Sequence, residues 1–103
     1  MKKIIILIAL LFATTAHADQ YKSACKGIAS ISEEIMDARQ NNVPKFILID
    51  HANLNFSGME NSIYTILVND AYKLNVEQYV NGKREAIKRF KKINYDICLE
   101  AGK

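Results

Sequence analysis

Six lysine or arginine residues lie between Lys83 and Lys92, with Glu85 the one acid among them. Such a run can hold phosphate, carboxylate or an anionic surface. At about 100° per residue, Arg84, Lys88, Lys91 and Lys92 fall within an arc of roughly 100° nearly opposite Phe90 and Ile93, with Tyr95 inside it. The stripe Arg84, Lys88, Lys91, Lys92 and Tyr95 is therefore a candidate partner-binding face. Its plain alternative is the solvated side of an amphipathic helix, the usual fate of charge at helical spacing.

Two other charges project onto apolar stripes instead of away from them. Arg39 falls between the directions of Ile35 and Cys25, and Asp70 between those of Ile63 and Ile66. A buried charge is costly unless paired. Arg39 and Asp70 are thus expected to form a buried ion pair, or each to reach a nearby helix end; a cleft that reads a ligand's charge is the functional alternative. Acid–base chemistry has little to work with. His51 is the only histidine beyond position 17, and neighbouring helical residues such as Asp50 and His51 point in different directions. The sequence has no H-E-x-x-H, no G-x-S-x-G, no phosphate-cradling glycine loop and no cluster of metal ligands. A non-enzymatic protein with no cofactor and no metal is expected.

These residues need elements to position them, and the first stretch concerns export. "MKKIIILIALLFATTAHADQ" has a cationic start, an apolar run from Ile4 to Phe12 and a small-x-small site at Ala16-His17-Ala18. That is the layout of a signal peptide, cleaved between Ala18 and Asp19, and the apolar run is about half of what a spanning helix needs. Residues 19–103 then form a single helical domain. Losing Lys2 and Lys3 leaves 12 basic against 11 acidic residues, a net charge of +1. The balance says little about partners; the clustering says more.

Cys25 and Cys98 lie near the two ends of that domain. An even pair in an exported chain reads as a disulfide, and the C-x-x-C spacing of a redox site is absent. A bridge closing so long a loop contributes ~4 kcal/mol in the chain-entropy model. From Tyr21 to Gln40, Ala24, Ile28, Ile31, Ile35 and Ala38 share one helical face. Asn41-Asn42 and Pro44 end that helix. "VPKFILIDHANLN" predicts a short helix, although Phe46–Ile49 alone also fits a short buried strand, and "NLNFSGMEN" predicts a loop. Ser57-Gly58-Met59-Glu60 matches a capping box opening a third helix to about Tyr72, with Met59, Ile63, Ile66, Leu67 and Leu74 inward. Asn75–Gln78 is a second cap before a short turn of helix that Asn81-Gly82 interrupts. The last helix runs from Lys83 to about Glu100 with Ala86, Phe90, Ile93 and Ile97 inward. The expected fold is all-α: a small four-helix bundle with its first and last long helices linked by one disulfide.

A leader followed by "CKGIA", "IMDARQNNVP", "ILVNDAYKL" and "AIKRFKKINYDIC" resembles small exported helical proteins of phages and proteobacteria. Cys25, Ala38, Arg39, Gln40, Ala71, Tyr72, Phe90 and Cys98 carry the resemblance, which implies a compartment and a fold but no activity. In size and layout alone the chain is also similar to the acid-stress chaperone of the enteric periplasm, without the motif around that family's first cysteine.

The function expected is a periplasmic or secreted binding protein. Its partner would be an envelope protein, or an anionic lipid or lipopolysaccharide surface. An exported chain rarely meets nucleic acid, so none is expected as partner, and no segment beyond the leader is apolar enough to span a membrane. The alternative is a periplasmic stress chaperone that exposes apolar faces on protonation or reduction.

Overall fold

The computed structural model describes residues 2–102, with side chains from Asp19 to Gly102. Among these residues the chain forms four helices and no strand: α1 (Lys2–Gln40), α2 (Lys45–Asn55), α3 (Gly58–Tyr72) and α4 (Val80–Ala101). No proline or glycine precedes Gly27, so nothing breaks α1 ahead of Tyr21, and the expected cleavage point falls within this helix. Its other end is as the sequence predicts. Asn42 adopts a left-handed φ of 63°. The Val43 amide donates to the Ala38 carbonyl at 3.0 Å and the Asn42 amide to that of Arg39 at 3.1 Å, a Schellman closure.

Cys25 and Cys98 form a disulfide with Cα atoms 5.6 Å apart, so the first and last helices are covalently tied as expected. At the opposite end of the pair, the Lys83 ammonium donates to the Gln40 carbonyl at 2.6 Å, placing a cation on the electronegative end of α1. The two contacts make α1 and α4 antiparallel, and α4 lies along the part of α1 from Tyr21 to Gln40. Helix α3 also packs on α1 and barely touches α4, while α2 packs against α3. The core joins Ile35 and Met36 of α1, Leu67, Val68 and Ala71 of α3 and Phe90 of α4. No helix among the described residues is long and apolar enough to cross a membrane.

Each inward face contains part of the expected one but is rotated from it. On α1 the expected Ile35 is buried and Ile28 and Ile31 pack on the core, but the hidden arc extends to Cys25, Ala29, Ser32, Met36 and Gln40, while Ala24 is exposed. Helix α1 has neighbours on two sides, so it buries a wider arc than one apolar stripe, and small or polar residues occupy part of it. On α3 the buried residues are Leu67, Val68 and Ala71, whereas Met59 is 78% and Ile66 58% exposed; contact with both α1 and α2 turns it. On α4, Phe90 is buried and Ile87 packs on the core, but Ile93 and Ile97 are exposed. The disulfide at Cys98 and the Lys83 contact fix its rotation.

The connections differ from expectation too. Helix α2 carries through Asn53 and Asn55, whose side-chain amide donates to the His51 carbonyl at 2.8 Å. Ser57 occupies the N-cap of α3 but its side chain makes no capping bond. Gly58, at φ +60°, leads into α3 through a conformation that favours glycine. Residues 75–78 form no helix. They belong to a connection held from outside: the buried Gln40 amide donates to the Asn75 carbonyl at 3.0 Å and its oxygen accepts the Glu77 amide at 2.8 Å. Gly82 sits inside the first turn of α4, where a Cβ would meet the Glu77 side chain at 3.2 Å.

Candidate binding groove between the first and last helices

Along one flank, α1 and α4 leave an open groove that receives the cationic stripe. Near the disulfide it holds about 480 Å³ and is lined by Lys26, Ala29 and Ser30 of α1 with Lys88, Lys91, Lys92 and Tyr95 of α4. The next compartment, about 510 Å³, shares Ser30 and Lys88 and is otherwise lined by Glu33, Glu34, Asp37, Arg84 and Ile87. The structure thus brings together all five residues of the predicted face and adds a second helix to it. The α4 stripe alone gave no hint of Lys26, because its partners depend on which side of α1 abuts α4. The signal was present in the disulfide, which sets residue 26 beside the C-terminal half of an antiparallel α4.

The cations of the groove are not equivalent. Lys91 pairs with Glu33 across the helices at 2.6 Å, both side chains about half exposed, and Lys92 pairs with Asp96 along α4 at 2.7 Å. Exposed pairs of this kind contribute about 0–1 kcal/mol each. Lys26, Arg84 and Lys88 make no ion pair among the described residues, so their charge is open to a partner. Ala29 and Ile87 give the floor an aliphatic strip, and Tyr95 supplies a ring.

Arg39 and Asp70 do not form the buried pair. The Arg39 Nε donates to the Leu74 carbonyl at 3.0 Å and its guanidinium lies 5.0 Å from the Tyr72 ring centroid. That is the helix-end alternative, since Leu74 directly follows α3 and its C-cap. Asp70 is exposed, and its carboxylate lies 3.8 Å from Lys73. The α3 rotation that exposes Ile66 carries Asp70 outward with it, away from the arginine. Together Arg39 and Gln40 clamp the α3–α4 connection.

His51 belongs to an aromatic cluster between α2 and α3. Its ring meets Phe56 edge-on and Tyr64 at a tilt, both at 5.9 Å between centroids, and its Nδ1 lies 3.1 Å from the Asn55 side-chain amide. Burial, and after it the Glu34 carboxylate and Tyr72, raises the Tyr64 phenol above 10.0. Burial also raises the Tyr72 phenol, against the opposing pull of Arg39, and Tyr72 donates to the Val43 carbonyl at 2.5 Å. Among the described residues no group of three or more His, Cys, Asp or Glu could hold a metal ion.

A second furrow runs where α3 and α4 part over α1, lined by Ile28, Ile63, Ile66, Leu67, Ile97 and the edge of Tyr21 among others. It is almost wholly apolar and uses the opposite flank of α4. No protein-family model, curated protein or solved structure matches the chain.

Proposed function

We propose that this is an exported, non-catalytic binding module whose α1–α4 groove engages an acidic segment of an envelope protein. The observation that carries the reading is the convergence of Lys26 from α1 with Lys88, Lys91, Lys92 and Tyr95 from α4 in one concave site. Lys26 and Lys88 carry no intramolecular partner there. A site of this volume is large enough for side chains to enter, and open cations in it accelerate encounter with an acidic partner. Glu33, Glu34 and Asp37 in the adjoining compartment argue for a protein over a membrane, since an anionic bilayer would repel them. The leader and the disulfide support an oxidising compartment outside the cytoplasm.

The test is affinity capture from an envelope fraction with the disulfide-bonded protein. A single partner should be retained at low salt, released by salt, and lost in the Lys26→Glu/Lys88→Glu variant with its helical circular dichroism intact. Retention by that variant would remove the site assignment. Binding to anionic vesicles as strong as binding to protein would replace the partner class.

A stress chaperone is the second reading, favoured by the apolar furrow, where Ile66 and Ile97 are 58% and 60% exposed. A patch of this kind can receive unfolded clients. It predicts suppression of a client's aggregation at low pH or on reduction, weakened by Ile66→Lys/Ile97→Lys; no suppression under either trigger rules it out.

A further inference from the structure

The charge of the α1–α4 groove changes along its length. The end nearest the disulfide is lined by Lys26, Lys88, Lys91 and Lys92 with no acidic residue in the lining; Lys91 and Lys92 are held by Glu33 and Asp96, which leaves Lys26 and Lys88 as its open cations. The end nearest the α1 C-terminus gathers Glu33, Glu34 and Asp37 along α1 against Arg84 and Lys88. Lys26 and Asp37 are 11 residues apart, roughly 16 Å along a helix at 1.5 Å per residue. Glu33 is already bound to Lys91, whereas Glu34 has an exposed side chain and makes no ion pair among the described residues. Both compartments share Ser30 and Lys88, so one extended occupant can lie in both.

From this gradient we infer that the groove selects a dipolar segment, and the inference rests on the proposed function. The segment carries its carboxylates at the Lys26–Lys92 end and a lysine or arginine at the Glu34–Asp37 end. The length fits about three turns of helix or about five extended residues at 3.3 Å each. A uniformly acidic segment gains at the first end and gains less at the second, where Glu34 and Asp37 oppose the attraction of Arg84. Polarity of this kind sets the direction in which a partner lies and excludes partners of the wrong pattern.

Three fluorescein-labelled helical peptides of equal length test this by anisotropy against the disulfide-bonded protein. One carries acids in its first half and lysines in its second, one carries the same residues with charges alternating, and one is uniformly acidic. The dipolar peptide should bind at least about tenfold tighter than its alternating isomer, a ratio equal to about 1.4 kcal/mol. In Glu34→Lys/Asp37→Lys the preference should pass to the uniformly acidic peptide. Equal affinity for the two isomers, or no binding by any of the three, overturns the inference. Tightest binding of the uniformly acidic peptide by the unmodified protein also overturns it and leaves the proposed function standing. Envelope capture reads that function independently, since its loss in Lys26→Glu/Lys88→Glu does not depend on peptide pattern.

Discussion

Replacing Gln40 by leucine should cost a large part of the stability of this domain. Gln40 is 1% exposed and its side chain completes two bonds to the backbone of the α3–α4 connection, donating to Asn75 and accepting from Glu77. Leucine fills a similar volume, so the cavity term stays small and the loss is mainly the two unmet backbone groups. An unsatisfied buried donor or acceptor costs about 1–3 kcal/mol. Both bonds are only part-buried and water can reach part of the gap, which puts the pair near 2–4 kcal/mol. A single domain spanning residues 19–103, as expected after cleavage, would have a total stability of roughly 4–13 kcal/mol. Urea unfolding followed by helical circular dichroism should show an unchanged slope, and with a slope near 1 kcal/mol per molar the midpoint should fall by about 2–4 M. Amide exchange localises the effect: the Glu77 N–H should lose protection ahead of core amides such as that of Val68. A midpoint within about 0.5 M of the parent together with a still-protected Glu77 amide would refute the clamp.

Three other outcomes follow from the same geometry. The Cys25–Cys98 bridge closes a 73-residue separation, which in the chain-entropy model contributes ~4 kcal/mol; Cys25→Ala/Cys98→Ala should unfold at far lower urea than the oxidised protein, and an unchanged midpoint would contradict this. A Cβ on Gly102 would run into the Tyr21 ring, so Gly102→Ala should expel the ring, break its hydroxyl bond to the Cys98 carbonyl and cost about 1 kcal/mol; unaltered Tyr21 ring resonances would refute the contact. The phenols of Tyr64 and Tyr72 are raised from 10.0, so the folded state holds protons that the unfolded chain releases. Their contribution is therefore complete below pH 10 and is lost as pH rises through the folded values. Stability should fall in that alkaline range in step with tyrosinate absorbance, and Tyr64→Phe/Tyr72→Phe should flatten the decline.

Local chemistry was the legible part of this fold. Asn41-Asn42 announced the left-handed stop of α1, and the 3.6-residue period located the helices. The period fixes angles within a helix, however, and not its rotation against a neighbour. For this reason Ala24 was placed inside and Ser32 and Gln40 were not considered, although α1, flanked twice, hides both. The capping box failed similarly: Ser57 has the right position, but Gly58 enters α3 at a positive φ and no side-chain bond forms. For the groove, the α4 cations were visible and their α1 counterparts were not. Yet one covalent constraint contained them. With Cys25 set against Cys98 in antiparallel helices, stepping forward along α1 while stepping back along α4 brings Gln40 opposite Lys83 and Glu33 within one residue of Lys91. Those are two of the cross-helix contacts observed, at 2.6 Å each. The same count places Lys26 at the end of the stripe beyond Tyr95. A disulfide between two amphipathic helices therefore acts as a register mark, and it assigns a face to residues whose own periodicity leaves them unplaced.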